Sequence, residues 1–346
     1  MPRQSLLTFT AAALALAALA GPASAQTPAR PLVGLERSTP VREYDGRLLF
    51  SRWTGSAYRL STSHDGVVRD LPVRAQPEPF DADVGPDSSG RPSAVLSLCD
   101  ADSCDLFVLG FDTGDELRPV GNANTRGSDE TDPSIWRGRL VFAREYGRQV
   151  VAYTKQLSAP RSRPSDRLAG LPDKRCGAVD APTCRAIERP TLAGMELWGR
   201  WVAQSWTYQP DGFPGFRQNE IRLTDVDRSD TRQIAAMTTG LAGQTYLGPS
   251  LVGGRAAFFR ACQADGGGCN SANSGAIRYR ISDRSYELAG RNEAWTAWAY
   301  DGVAGYHVPS DFDCSGGDPA SPARERCGIY RSSDLNWRSV DEERIR

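Results

Sequence analysis

The sequence predicts an all-β fold: a six-bladed β-propeller of four-stranded blades with local disulfides. Three observations predict it. A Gly-Arg step opening an apolar or β-rich run recurs. "GRLLFSR" at 46–52 returns as "GRLVFAR" at 138–144, with copies at Gly90-Arg91, Gly199-Arg200 and Gly254-Arg255 and a diverged one at Gly302. The intervals are 44, 48, 61, 55 and 48 residues, the spacing of blade-sized repeats. Each step is flanked by short segments rich in β-branched and aromatic residues, separated by Gly/Asp turns, which read as strands. After the N-terminal stretch no segment sustains a 3.6-residue apolar stripe. A pair of β-sandwiches is the bland alternative, and six-fold spacing argues against it.

The chain opens "MPRQSLLTFTAAALALAALAGPASAQ". Arg3, the apolar run Leu6 to Ala20 and the A-x-A site Ala23-Ser24-Ala25 form a signal peptide over 1–25, expected to be cut before Gln26. The expected location is secreted or periplasmic. Residues 26–37 are an N-terminal segment and 38–346 the propeller. Its blades are expected at approximately 38–75, 79–121, 129–171, 187–238, 244–290 and 292–341. In each, a first strand precedes Gly-Arg ("TPVREYDG", "TDPSIWRG") and the apolar run is the second. A third follows ("YRLSTS", "DLFVLGFD"), then a more polar fourth ("VVRDLPV", "NWRSV"). Gly supplies the positive φ that a tight hairpin turn requires. The second strand does not alternate because neighbouring blades cover both its faces. Residues 30–36 are left to pair with the last blade.

Eight cysteines fall into four near-neighbour pairs: Cys99/Cys104, Cys176/Cys184, Cys262/Cys269 and Cys314/Cys327. In an exported chain that is a disulfide framework with local pairing. Three pairs are expected to staple hairpins, and Cys176/Cys184 to close the connection from the third unit to the fourth. Zinc requires other spacings or nearby histidines, and only His64 and His307 exist. With 41 Lys+Arg against 42 Asp+Glu the chain is near neutral. Neither nucleic acid nor an anionic membrane surface is suggested as a partner, and no membrane span is expected after the leader.

The stretch "DETDPSIWRGRLVFAREYGRQVVAYTKQL" resembles the WD40-like repeat of TolB-type propellers, and "GPDSSGRPSAVLSLCDADSCDLFVLGFDTGDELRPV" is a second such copy. The resemblance covers about 38 to 340 and implies the propeller fold, without the TolB N-terminal domain. Its motifs are structural and carry little about activity. Propeller peptidases and oligogalacturonate lyases resemble the repeat too. The first use a G-x-S-x-G elbow and the second a histidine-rich metal site, and this sequence offers neither.

Loops ahead of the first strands are repeatedly acidic and are expected to meet at the channel mouth. The candidate ligand-binding set is Asp81, Asp83, Glu130, Asp132, Glu188, Tyr246, Glu293 and Trp295. Of these, Asp81, Glu130, Glu188 and Glu293 could hold a hard cation such as Ca²⁺. The competing reading pairs the acids with Arg126, Arg185, Arg189 and Arg291. Trp136, Trp198, Trp206, Tyr208 and Trp298 add aromatic surface for stacking, or fill the wedge between blades. The function expected is a non-enzymatic protein-binding or scaffold module, monomeric, with a protein or glycan partner, no catalytic residue and no resident cofactor. The alternatives are a Ca²⁺-assisted hydrolase or lactonase at the acidic mouth and a carbohydrate-binding propeller.

Overall fold

The computed structural model describes residues 32–37, 39–111, 116–146, 149–160, 162–168, 174–176, 184–210, 218–237, 244–252, 256–263, 274–289, 296–299, 305–308, 328–331 and 337–340. The expected signal peptide lies outside them. Among the described residues no helix is long and apolar enough to cross a membrane.

The strands build an all-β propeller with four-stranded blades. The first sheet is Val41–Tyr44, Arg47–Trp53, Tyr58–His64 and Val67–Asp70, in spatial as in chain order. The second is Ala82–Pro86, Pro92–Cys99, Cys104–Gly110 and Leu117–Pro119; the third is Asp129–Trp136, Arg139–Tyr146, Gln149–Gln156 and Asp166–Arg167. In the fourth, Cys184–Trp198, Trp201–Pro210, Gln218–Asp225 and Asp230–Met237 follow the same meander, and Lys174–Cys176 adds a fifth strand. A fifth sheet is made by Gln244–Val252, Ala256–Gln263, Ser274–Arg280 and Tyr286–Ala289. In a sixth, Thr296–Ala299, Gly305–Val308 and Gly328–Arg331 are completed by Val33–Gly34 from the other end of the chain. The first strand of each sheet contacts the first strand of the next, and Thr296–Ala299 contacts Val41–Tyr44. One expectation is corrected. Trp337–Val340 is not the outer strand of the last unit but pairs with Tyr286–Ala289 of the fifth sheet; Val33–Gly34 has taken the outer edge in the last sheet.

Second strands are buried on both faces because alternate residues feed two different interfaces. Leu49 packs with Ala94, Leu96 and Phe111 toward the second sheet, while Leu48 and Phe50 pack with Val33 and Ile329 toward the last. Leu140 and Phe142 join Val95 and Leu106, and Val141 between them joins Leu197 and Trp206. The apolar run of each Gly-Arg step is therefore shared between neighbouring blades.

Turn chemistry fixes the hairpins. Arg137 and Gly138 both have positive φ, 48° and 75°, in the two-residue turn between paired Trp136 and Arg139, the geometry of a primed hairpin turn. Cys99 and Cys104 are direct register partners and disulfide-bonded across their hairpin. Cys176 and Cys184 are likewise Cα partners. Cys269, Cys314 and Cys327 lie outside the described residues.

Gly85 marks a close approach of the second and third sheets. A Cβ there would stand 2.0 Å from the Ile135 carbonyl oxygen, whereas a Cβ on Gly90, at φ +83°, meets nothing within 4 Å. Gly85→Ala is expected to cost about 3 kcal/mol through overpacking. Gly90→Ala should cost about 1–2 kcal/mol, from the left-handed backbone alone. Urea denaturation of the two variants checks this; equal losses would show that the approach at Gly85 is not rigid.

Candidate active site

Polar side chains of the innermost strands form a belt across the channel. Asp83 Oδ2 accepts from the Ser134 hydroxyl at 2.5 Å and from the Ile135 N–H at 3.1 Å. Ser134 Oγ accepts from the Leu197 N–H at 2.8 Å, and Glu196 Oε1 from the Leu251 N–H at 3.1 Å. Each bond joins one sheet to the next. Arg42, on the first sheet, reaches across: its Nε lies 3.8 Å from Asp83 Oδ1 and its Nη1 lies 3.6 Å from Glu196 Oε2. Neither Arg42 Nε nor Glu196 Oε2 completes a hydrogen bond, although Asp83 and Glu196 are only 3% and 6% exposed.

One step toward the start of the same strands lie Asp81 and Asp132. Asp81 Oδ2 accepts from the Asp132 N–H at 2.6 Å. Asp132 has φ 48° and sits where the strand register shifts between Thr131 and Ser134. This bulge takes the Asp132 N–H out of the ladder and offers it to Asp81, and aspartate tolerates the left-handed backbone better than most residues. Asp81 and Asp132 are half-buried residues, where Asp83 and Glu196 are buried. At the other end of the strands Trp136 stacks on Trp198 with centroids 4.2 Å apart, and Tyr44 meets Trp136 edge-on at 5.8 Å. The rings come from the third, fourth and first sheets and bridge the channel there.

Four carboxyls thus surround one guanidinium, and they cannot all ionise. Burial pushes Glu196 up to about 7, with the Asp83 charge adding to it. Burial likewise raises Asp81 to about 6, against the pull of the Asp132 N–H and Arg42. Asp132 stands well above the ordinary carboxylate value through burial and the Asp81 charge beside it. Asp83 is raised by burial and restrained by Arg42 and three donors.

Of the acids expected at the mouth, Asp81, Asp83 and Asp132 come together. Glu130 does not join them. It is fully buried, and its Oε1 accepts from Arg144 Nε at 2.8 Å, Thr125 Oγ1 at 2.7 Å and Ser128 Oγ at 3.1 Å. It clamps a loop between blades, with Arg144 as partner rather than the arginines expected. Glu188 pairs in register with Gln209 and Tyr246 with Ala261; their side chains, and Glu293 and Trp295, lie outside the described residues. Among the described residues no three His, Cys, Asp or Glu side chains are placed to hold a metal ion. Of the two readings of Trp206 and Tyr208, stacking surface or filling between blades, their burial fits the second, at 1% exposed each. Arg42 and Glu196 were not expected.

No protein-family model matches the sequence, and no curated protein matches it. The fold is similar to that of an α-L-arabinofuranosidase from Fusarium graminearum, at 12% identity and TM-score 0.43, over 89% of this chain and 97% of that one. It is similar to a GH43 endo-arabinanase from Bacillus licheniformis at 10% identity and TM-score 0.35, over 72% and 94% of the two chains. An oligogalacturonate lyase in complex with manganese gives 9% identity and TM-score 0.39, over 72% of this chain and 63% of that one. These likenesses concern the fold. They do not support the TolB-type resemblance beyond the propeller itself. The expected non-enzymatic protein-binding or scaffold module is corrected: the propellers found similar are an endo-arabinanase and an arabinofuranosidase, not scaffold modules.

Asp81 and Glu196 hold protons more tightly in the folded chain than when unfolded. From about pH 4, near their ordinary values, to about pH 7 the folded state binds the extra protons. Their contribution to stability is therefore complete at the acid end and lost as pH rises through that window. Arg42→Gln removes the one cation that faces the cluster among the described residues. Breaking a buried pair costs about 3–5 kcal/mol, and the loss should be larger at pH 8 than at pH 5, where protons replace the guanidinium. Urea denaturation at the two pH values checks it; a pH-independent loss would mean that Arg42 acts by packing alone.

Proposed function

We propose that this chain is a carbohydrate-processing hydrolase that cleaves a glycosidic bond at the channel carboxylates, with Asp132 as general acid and Asp81 as general base. One observation carries the reading: two adjacent carboxyls placed in unlike surroundings, Asp81 drawn toward its charged form by the Asp132 N–H and Arg42 although burial raises it to about 6, and Asp132 raised by burial and by the Asp81 charge beside it. A pair so divided supplies an acid and a base at the same pH. Asp83 and Glu196 are occupied in binding Ile135 and Leu251 N–H groups and serve the cluster by holding it.

Glycoside hydrolysis needs these two roles and no imidazole. Asp132 gives its proton to the glycosidic oxygen as the carbon–oxygen bond breaks. Asp81 takes a proton from the water whose oxygen bonds to the anomeric carbon. One water is consumed, and transfer of the proton from Asp81 back to Asp132 through solvent resets the pair.

The finer architecture proposed is a six-bladed ring closed by Val33–Gly34, supported by the six sheets and the contact of Thr296–Ala299 with Val41–Tyr44. Export is supported by the Cys99–Cys104 bond, since such bonds persist in oxidising compartments.

A panel of aryl furanosides and pyranosides, α-L-arabinofuranosides included, tests the activity. Asp81→Asn and Asp132→Asn are each expected to lower kcat/KM by about 10²–10⁴-fold while the melting temperature stays near that of the parent chain. Asp132→Asn should recover on dinitrophenyl leaving groups, which need no acid, and should lose the alkaline limb of the pH profile. Hydrolysis by both variants at the parental rate would remove the assignment.

A further inference from the structure

Away from the channel, a pocket of about 330 Å³ opens between the third and fourth sheets. Arg139, Lys155, Arg163 and Arg167 line it, and among the described lining residues Asp166 is the one acid. Asp166 lies 4.0 Å from Arg163 Nη2, and Asp227 outside the lining holds Arg139 at 2.8 Å. The cations still exceed both acids. Lys155 is 5% exposed and is one of only two lysines in the chain, the other being Lys174. Its ammonium donates to the Arg163 carbonyl, and among the described residues it makes no salt bridge. A buried ammonium facing other cations is costly unless an anion compensates it.

We infer that this pocket binds a phosphate or sulfate group. Guanidinium and ammonium donors around one space suit a multiply charged oxyanion, either as a free ion or as its ester on a sugar-sized molecule, and Ser229 in the wall adds a hydroxyl. Burial lowers the Lys155 pKa, with Arg144 and Arg163 adding to it and Asp166 opposing it in part. The corresponding pocket one sheet earlier, about 280 Å³, contains Arg91 and Arg118. There Arg91 is neutralised by Asp87 at 2.9 Å, and no lysine lines it. This inference is independent of the channel chemistry.

Isothermal titration of the full chain at low ionic strength with inorganic phosphate, inorganic sulfate, glucose 6-phosphate and glucose tests it. Saturable binding of the anions and none of glucose is expected. The exposed Arg167→Gln should weaken it about tenfold or more, the scale of one charged hydrogen bond, and Arg118→Gln in the neighbouring pocket should leave it unchanged. Glucose 6-phosphate binding much more tightly than inorganic phosphate would assign the ester as the source, and equal binding the free ion; both support the site. Absence of saturable anion binding, equal binding of glucose, or equal loss from Arg118→Gln would overturn it.

Discussion

The innermost strand of each blade has a ladder partner on one side only, apart from residues 184–186 of the fourth sheet, with which Lys174–Cys176 pairs. Its other edge faces the channel, where backbone N–H groups are too crowded for bulk water and too polar to leave unpaired. Side chains from the preceding sheet meet this demand: Asp83 takes the Ile135 N–H, Ser134 the Leu197 N–H and Glu196 the Leu251 N–H. The ring is thus stitched at its narrowest circumference by polar groups, while the apolar clusters between sheets supply the bulk of the burial. Much else about the channel follows from that stitching. Two of the three acceptors are carboxyls, so acids are drawn into the interior, and Arg42 spans the channel to face them.

Those structural acids also set the chemistry beside them. Asp83 raises Glu196, and Asp81 raises Asp132. A charge held in place by backbone donors needs no reorganisation during a reaction, which is what makes a preorganised field effective. The division of labour follows accessibility. Glu196 is raised to about 7 yet buried and bonded to Leu251, so it stores a proton where substrate does not reach it easily. Asp81 and Asp132, one step along the strands, experience the same desolvation but belong to residues that are half-buried rather than buried. The Asp132 bulge is the local device that separates the two layers, because without it the Asp132 N–H would belong to the ladder.

Much of this was legible in the sequence. Gly-Arg marked the hairpins because positive φ at Gly138 is a covalent requirement, visible in residue type alone. The unbroken apolar runs after it announced strands covered on both faces. Asp81, Asp83 and Asp132 were found because they precede those hairpins. Glu196 was missed because "MELW" reads as strand interior and Glu188 stands nearer the loop. A usable signal existed: Arg42, Ser134, Glu196 and Ser250 each lie three or four residues before the Gly of their step, a recurring polar position in otherwise apolar strands. Glu130 misled for the converse reason. Sequence gives proximity to a mouth but not direction, and the bulge beyond Thr131 separates Glu130, bound to Arg144, from Asp132 beside Asp81. Residues 30–36 were left to pair with the last blade, as Val33–Gly34 does, but the transfer of Trp337–Val340 to the fifth sheet was invisible, since a four-residue polar strand fits either edge by composition.

The aromatic layer completes the logic of the site. Tyr44, Trp136 and Trp198 end their strands immediately before the hairpin turns, and their rings meet although the first sheet is not adjacent in the ring to the third or fourth. Rings of this size bridging the channel leave the acidic end as its approach. A channel narrowed in this way lowers the effective dielectric around the carboxyls above it, and that strengthens each charge interaction there. The same three residues are also packing groups, since Trp198 anchors the apolar cluster of the fourth and fifth sheets, with Trp136 and Tyr44 against it. Loss of one ring would therefore be felt twice, as a void between blades and as water entering beneath the acids, and the second effect would draw Asp81 and Asp132 back toward ordinary carboxylate behaviour.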